Sequence, residues 1–332
     1  MNKPDIAVIG DGGWGTTLAI LLSKKGFPVT LWGAFADYTA VLDKKRVNSR
    51  FLPGIKIPSA INITHELTAA LRCKDVVVLA VPSQFMRQVL KKIKKSGFNK
   101  STIFVSVTKG IEIGSLKRMS QLIHEELGPV RLGVLSGPTI AHEVAVGQPT
   151  TAVAASKDEG IRKYLQEIFM TDRFRVYTNE DVIGVEIGAS LKNVVAIACG
   201  IADGLGFGTN AKAALLARGL VEISRLGKAM SANVKTFAGI SGLGDLVTTC
   251  ISRYSRNRSV GEQIGKGKTY KQIKAHMRMV AEGVPTAKSA HELSIKYKVE
   301  MPIIREVYNV IYKDKSPSKA VNDLMTREKK EE

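Results

Sequence analysis

Apolar residues fall into two regimes along the chain. Up to about residue 180 they come as short unbroken runs, at 5–9, 29–32, 76–81, 103–107, 132–135, 151–155 and 174–177. Runs of this length without polar alternation predict strands buried on both faces, as in parallel sheets. Between several of them apolar residues recur at helical spacing, at 16–25, 83–96, 116–127 and 159–169. Strand alternating with helix predicts an α/β doubly wound sheet. After about residue 181 the strand signals stop. A helix over 187–202 comes first, then an amphipathic helix over 211–230 with Asn210 as its cap. Further helices are expected near Gly261 and Lys271 and over 286–297 and 303–312, with a frayed, charged tail after Thr326. The expected division is residues 1–180, a doubly wound domain of Rossmann type, and residues 181–332, an all-α domain.

The 187–202 helix reads Ile-Gly-Ala-Ser-Leu-Lys-Asn-Val-Val-Ala-Ile-Ala-Cys-Gly-Ile-Ala. It is apolar on nearly every face, which marks a buried helix, and Lys192 is its only charge. Burying an ammonium is costly unless it is paired or gives up its proton. Two readings stand. Lys192 is an acid or base held near the boundary of its two states, or a lysine that snorkels from a core helix.

Gly10-Asp-Gly12-Gly13-Trp14-Gly15 joins the first strand to the first helix. This is Gly-x-Gly-x-x-Gly in the context that binds a pyrophosphate: a tight turn, a close backbone approach, and a helix N-terminus facing the phosphates. The alternative is a tight turn with no ligand. The second strand ends in Trp32-Gly33-Ala34, without the acid that reads ribose hydroxyls or the arginine that reads a 2′-phosphate. Lys44, Lys45, Arg46 and Arg50 follow as cations within reach of a phosphate. The expectation is use of both nicotinamide dinucleotides, with a weak lean to NADH.

Three other strand ends are polar or glycine-rich: Val81-Pro82-Ser83, Thr108-Lys109-Gly110 and Ser136-Gly137-Pro138-Thr139. Lys109 is the charge among them that meets an anion. In the helical half, Gly239-Ile-Ser-Gly-Leu-Gly-Asp245 sets a carboxylate after a glycine-rich turn, as a helix cap or as a partner for a buried cation. Ser255-Arg256-Asn257-Arg258 offers a hydroxyl, an amide and two guanidiniums at a helix start. That set suits a phosphate, or is a solvated basic turn.

Composition narrows the classes. With 332 residues, 44 % of them hydrophobic, the chain has enough apolar material for two cores. Helix 187–202 comes nearest to a membrane span, and its glycines and lysine argue against insertion. A strand beginning at residue 5 leaves no signal peptide. Three widely spaced cysteines suit a reducing cytoplasm. The five histidines lie too far apart in sequence to suggest a metal site, and none is expected. Lys and Arg number 49 against 30 Asp and Glu, a net charge of +19. The lysines are dispersed and aromatics are 6 %, so an anionic ligand explains the charge better than nucleic acid. The clusters at 44–46 and 91–95 read as solvated helix faces.

At this point the residues resemble the NAD(P)-dependent glycerol-3-phosphate dehydrogenases, over nearly the whole chain. The resemblance rests on Gly10-Asp-Gly-Gly-Trp-Gly-Thr16, Thr108-Lys-Gly110, Ser136-Gly-Pro-Thr-Ile-Ala-His-Glu143, Leu191-Lys-Asn-Val194, Asp203-Gly-Leu-Gly206, Thr236-Phe-Ala-Gly239, Gly242-Leu-Gly-Asp-Leu246, Ser255-Arg-Asn-Arg258 and Ala281-Glu-Gly-Val-Pro-Thr286. It implies reduction of dihydroxyacetone phosphate to sn-glycerol 3-phosphate with NAD(P)H, feeding phospholipid synthesis. It further implies that Lys192 moves the proton, with Asp245 beside it at the substrate. Lys109, Gly137 and Thr139 would contact substrate, and Ser255, Arg256 and Asn257 would hold its phosphate. Gly10, Gly12, Gly13, Trp14, Gly15, Ala141, Val280 and Glu282 would line the cofactor, which Lys109 and Arg256 also reach. A homodimer is the expected assembly. Two departures stand out. Trp32-Gly33-Ala34 replaces the family's Trp-x-Arg, and Ile140-Ala141-His142-Glu143 replaces its Phe-Ala-Lys-Glu. Other readings are a phosphogluconate or β-hydroxyacid type of dehydrogenase, and a dinucleotide-sensing protein without turnover.

Overall fold

A computed structural model describes residues 3–277, 279–329 and 331. The chain forms two compact units. One comprises Met1–Lys109 and Lys117–Glu186, the other Gly110–Leu116 and Ile187–Glu332.

The first unit is built on eight strands: β1 (Ile6–Ile9), β2 (Val29–Trp32), β3 (Ile61–Thr64), β4 (Val76–Leu79), β5 (Ile103–Ser106), β6 (Arg131–Ser136), β7 (Thr150–Ala155) and β8 (Phe174–Asn179). They form one sheet in the order β3-β2-β1-β4-β5-β6-β7-β8. The first six pair in parallel. β7 runs antiparallel to β6, and β8 parallel to β7. The order reverses between β1 and β4, the switch point where such sheets bind ligands beyond their carboxyl ends. The unbroken apolar runs have a simple cause. Ile6 and Val8 feed one core while Ala7 and Ile9 feed another on the opposite face. Helices α1 (Gly13–Lys24), α2 (Ala36–Lys45), α3 (Leu67–Leu71), α4 (Met86–Ser96), α5 (Met119–Leu127), α6 (Ala141–Ala145) and α7 (Glu159–Phe169) complete the unit. Leu18, Leu165 and Phe169 of α1 and α7 pack on the first face, and Leu90, Ile93 and Leu122 of α4 and α5 on the second.

Four elements here escape the hydrophobic pattern, the five-residue α3 among them. β3 alternates buried and exposed positions over only four residues. α2 buries just Thr39 and Leu42, and α6 is barely more than one turn. Lys91, Lys92, Lys94 and Lys95 of α4 are exposed, as are Lys44 and Lys45 of α2.

Helices α8 (Val182–Gly204), α9 (Thr209–Ala229), α10 (Asp245–Ile251), α11 (Arg256–Gly265), α12 (Tyr270–His276), α13 (Gly283–Lys296), α14 (Pro302–Tyr312) and α15 (Pro317–Met325) follow, with no strand after β8 among the described residues. α8 begins five residues before the hydrophobic pattern predicts, taking in Glu186. The cap of α9 is Gly208, and Asn210 lies inside the helix. Its extended backbone lets glycine serve where no side chain caps. α15 is not evident in the apolar pattern and is signalled instead by Ser316, which caps it, and by Pro317.

Of the described helices, α8 is long and apolar enough to cross a membrane, and 89 % of its most apolar stretch is buried in protein. It is packed as a core helix. Its Gly200 and Gly204 meet Gly261 and Gly265 of α11 backbone to backbone. A Cβ on Gly200 would lie 2.0 Å from the carbonyl oxygen of Arg258, and one on Gly261 2.1 Å from that of Ile197. Only hydrogen fits at such a crossing, and the contact fixes the start of α11 beside Asn193 of α8.

Candidate active site

The glycine-rich turn has the shape a dinucleotide requires. Gly10 sits at φ +122°, and a Cβ there would lie 2.7 Å from the carbonyl oxygen of Ala80. A Cβ on Gly15 would lie 1.9 Å from the oxygen of Gly10, so α1 packs tightly over β1. At Gly12 nothing lies within 4 Å of where a side chain would begin, which leaves room for a bound group. Gly12 also starts α1, whose first turn has neither a side-chain cap nor an acidic residue. Its first N–H groups therefore present partial positive charge to an anion. Ala141 joins the turn, its carbonyl accepting from Thr17 Oγ1 at 3.1 Å. The Trp14 Nε1 and Asp11 Oδ2 atoms are buried without a hydrogen-bond partner. An open cradle, an uncapped helix start and orphaned polar atoms fit an NAD(P)-type pyrophosphate and adenosine.

In the same unit three expected substrate residues come together. Lys109, beyond β5, donates from Nζ to the carbonyl oxygen of Gly137 at 2.8 Å and to Thr139 Oγ1 at 3.2 Å. Thr139 Oγ1 donates to the same carbonyl at 3.1 Å. Gly137 adopts φ +134°, a conformation that turns the chain sharply after β6. A buried cation, Arg118, pairs with Glu186, whose carboxylate also accepts from the Ser120 amide at 2.7 Å and its hydroxyl at 2.6 Å. Nothing in the apolar pattern marks this cluster, in which Arg118 Nε stays buried without a hydrogen-bond partner.

The second unit holds the lysine. Gly188 and Lys192 share one face of α8. A Cβ on Gly188 would come within 3.0 Å of the carbonyl oxygen of Ser241, so glycine lets the turn over Ile240–Gly244 settle against the helix. That turn leads into α10 and leaves Asp245 at its first residue, where a carboxylate is favoured by the helix dipole. Lys192 is 4 % and Asp245 1 % exposed. The ammonium pairs with Asp245 Oδ1 and donates to Thr249 Oγ1 at 2.7 Å. Thr249 gives its own proton to the main-chain oxygen of Asp245 at 2.7 Å, so its lone pair faces the lysine. At 4 % exposure Lys192 is buried beside these partners. The nearby Cys250 thiol, held against Cys199, is pushed far above its usual pKa by that contact and by burial. It stays protonated and is no nucleophile.

At the start of α11, Ser255 caps the helix by accepting from the Arg258 amide at 3.2 Å, and its hydroxyl proton remains to be given. Arg256 Nη1 donates to the carbonyl oxygen of Val280 at 2.9 Å. Arg256 keeps an exposed surface although protein crowds its guanidinium. Desolvation lowers its pKa against the opposing pull of Glu282, yet guanidinium stays charged at any working pH. Asn257 braces the fold as well: its Nδ2 donates to Asn193 Oδ1 at 2.9 Å, and its Oδ1 accepts from the Gly283 amide at 2.9 Å. Arg258 is held by Asp203, which pairs with Lys212 too. Among the described residues, no group of three or more His, Cys, Asp or Glu is placed to hold a metal.

A cavity of about 290 Å³, lined by Ala198, Leu215, Val307, Val310 and Leu324 among others, contains none of these residues. It is an apolar feature of α8, α9, α14 and α15 and not part of the chemistry.

Two family models match the chain. The N-terminal one, "NAD-dependent glycerol-3-phosphate dehydrogenase N-terminus", matches residues 5–162, and its C-terminal counterpart residues 181–322. A glycerol-3-phosphate dehydrogenase [NAD(P)+] of Prosthecochloris aestuarii is 50 % identical, the alignment covering 98 % of this chain and 99 % of that one. A protein of the same name from Citrifermentans bemidjiense is 51 % identical, with 98 % of each covered. Among solved structures, the glycerol-3-phosphate dehydrogenase of Coxiella burnetii superposes with a TM-score of 0.95 at 38 % identity, over 98 % of this chain and 99 % of that one.

Proposed function

The chain belongs to the NAD-dependent glycerol-3-phosphate dehydrogenase family, and from that footing we propose that it reduces dihydroxyacetone phosphate to sn-glycerol 3-phosphate with NAD(P)H. The observation that carries the proposal is the Lys192–Asp245–Thr249 cluster, a charged proton donor set in an otherwise apolar helix. When bound, the nicotinamide supplies the hydride that adds to the carbonyl carbon. Lys192 places a proton on the carbonyl oxygen and takes it back in the reverse reaction. Asp245 keeps that lysine charged where water does not, and Thr249 fixes its direction. General acid–base help of this kind is worth roughly 10²–10⁴-fold.

The remaining roles follow the same reading. Arg256, the Ser255 hydroxyl and Asn257 hold the substrate phosphate, and Asn257 also anchors that turn to α8. Lys109, Gly137 and Thr139 form the substrate contact of the first unit. Gly10, Gly12, Gly13, Trp14, Gly15 and Ala141 hold the dinucleotide, with Lys109, Arg256, Val280 and Glu282 also on it. Residues 1–180 act as the dinucleotide domain and 181–332 as the substrate domain. The product supplies glycerophospholipid synthesis. Three free cysteines suit action in the cytoplasm. The apolar cavity on α9, α14 and α15, with Met325 80 % exposed beside it, supports assembly as a homodimer.

The test pairs turnover with binding. Oxidation of NADH and of NADPH by dihydroxyacetone phosphate is measured in wild type and in Lys192→Met, with NADH affinity in both. Turnover in wild type, lost by about 100-fold or more in the variant with NADH affinity kept, is expected. NADH binding without any turnover in wild type would instead identify a dinucleotide sensor.

A further inference from the structure

β2 ends at Trp32 and is followed by Gly33-Ala34, where dinucleotide enzymes carry an acid for the ribose or an arginine for a 2′-phosphate. The structure brings a carboxylate to that place from another element. A Cβ on Gly33 would lie 2.5 Å from Asp11 Oδ2 and 2.9 Å from its Cγ, with Thr39 Oγ1 at 2.5 Å on another side. The Asp11 carboxyl group thus stands against the volume a side chain at position 33 would begin to fill. Gly33 is glycine for want of space.

Asp11 is held there by a buried clamp. Asn48 donates from Nδ2 to the Asp11 carbonyl oxygen at 2.8 Å and to Thr16 Oγ1 at 2.8 Å. The Asn48 Oδ1 accepts from the Tyr38 hydroxyl at 2.7 Å and the Phe51 amide at 3.1 Å. The residue after the first glycine is thereby tied to the segment that follows α2. Within this arrangement Asp11 Oδ2 is buried with no hydrogen-bond partner. A buried acceptor left open beside a nucleotide turn is ready for a donor that arrives with the ligand. Burial also raises the Asp11 pKa, with its own backbone amide and the Arg50 charge pulling the other way. Arg50 lies over the Phe51 ring at 5.0 Å. Arg46 is committed to the Ile61 carbonyl at 2.7 Å and to Asp43 at 2.6 Å.

We propose that Asp11 replaces the missing acid at the end of β2: it accepts the adenosine ribose hydroxyls and repels a 2′-phosphate, making the enzyme selective for NADH over NADPH. The proposal rests on the dinucleotide binding argued above and sharpens the weak lean expected from Gly33-Ala34 alone. A 2′-phosphate would set a second anion against a carboxylate whose Oδ2 has no hydrogen-bond partner, and like charges so placed discriminate strongly.

The test is equilibrium binding, read by nucleotide fluorescence without substrate, on the full-length protein. Wild type is expected to bind NADH at least about 30-fold more tightly than NADPH, equivalent to ~2 kcal/mol. Asp11→Asn, nearly identical in shape, should weaken NADH and strengthen NADPH until the two affinities agree within about threefold. Asp11→Ala serves as a second variant should the amide disturb the clamp. Equal affinities in wild type, a preference for NADPH, or an unchanged ratio in both variants would overturn the proposal. Failure of wild type to bind either dinucleotide would overturn the functional reading instead.

Discussion

Replacing Asp245 by Asn probes the proton donor without touching it. The side chain keeps its size and an oxygen for Lys192 to bond, and loses the charge. Lys192 is 4 % exposed on an apolar helix, so water does not take over the lost interaction. Removing one partner of a buried ion pair costs roughly 3–5 kcal/mol. The protein has one escape, which is to release the lysine proton. Release becomes easier by ~1.4 kcal/mol for each unit of rising pH, so the stability lost in the variant should shrink toward alkaline pH. The neutral amine left behind has no proton to give, and carbonyl reduction should fall by ~10²–10⁴-fold near neutrality. It should recover in part as the medium is acidified. Three measurements on Asp245→Asn decide the matter: the thermal midpoint at two pH values, the pH profile of kcat for dihydroxyacetone phosphate reduction, and NADH affinity. The affinity is expected to hold, since the glycine turn belongs to the other unit. A kcat within threefold of wild type with an unaltered pH profile would refute the argument that Asp245 keeps the donor charged.

Other outcomes follow from the same geometry. Arg256→Lys keeps a charge and loses the planar fork; kcat/KM for dihydroxyacetone phosphate should drop at least about tenfold, ~1.4 kcal/mol, and kinetics like wild type would remove Arg256 from the phosphate site. Gly261→Ala drives a methyl into the Ile197 carbonyl at 2.1 Å; overpacking costs about 1–3 kcal/mol, and an unchanged thermal midpoint would show that α8 and α11 separate freely. Glu222 accepts from the Ile303 and Ile304 amides at 2.7 and 3.1 Å, yet burial pushes its pKa up to about 7. The folded protein then keeps a proton that the unfolded chain has released, so this group's contribution is full below about pH 4.5 and is lost as pH rises through about 7. The total is on the order of 3 kcal/mol; denaturant titrations of Glu222→Gln between pH 5 and 7.5 should lose that slope, and a slope equal to wild type would contradict it.

What could be read in advance depended on how local its cause was. β1, β2, β4 and β5 announce themselves because both faces are buried, which leaves no polar alternation. β3 is an edge strand with one solvated face, and its Ile-Asn-Ile-Thr offers no unbroken apolar run. The turn from Gly10 to Gly15 is legible because each glycine answers a steric need within a few residues. The antiparallel turn of β7 against β6 has no local cause, since strand direction is set by pairing. Lys192 is conspicuous in sequence as a charge among apolar residues. Its partnership with Thr249 is not, because 57 residues separate them. Asp11 escaped notice for a related reason. It sits at a variable position of a known pattern, and only the fold shows that it stands beside Gly33.

The glycine face of α8 also bears on how the protein is made. The first turn of this helix finds its partners early, because Arg118 and Ser120 precede Glu186 in the chain. The rest must wait. Gly188 packs on Ser241, Gly200 on Arg258, Gly204 on Glu262, and Asn193 on Gly283, all synthesised later. Gly283 lies 79 residues beyond Gly204. At ~5–20 residues per second, roughly 4–16 s pass between completion of the helix and arrival of its last partner. During that interval a segment with the length and composition of a membrane span lacks the α11 and α13 partners it packs on in the folded chain. The tight crossing that fixes the start of α11 in the folded chain therefore leaves an apolar helix without its glycine partners until α11 and α13 have been made.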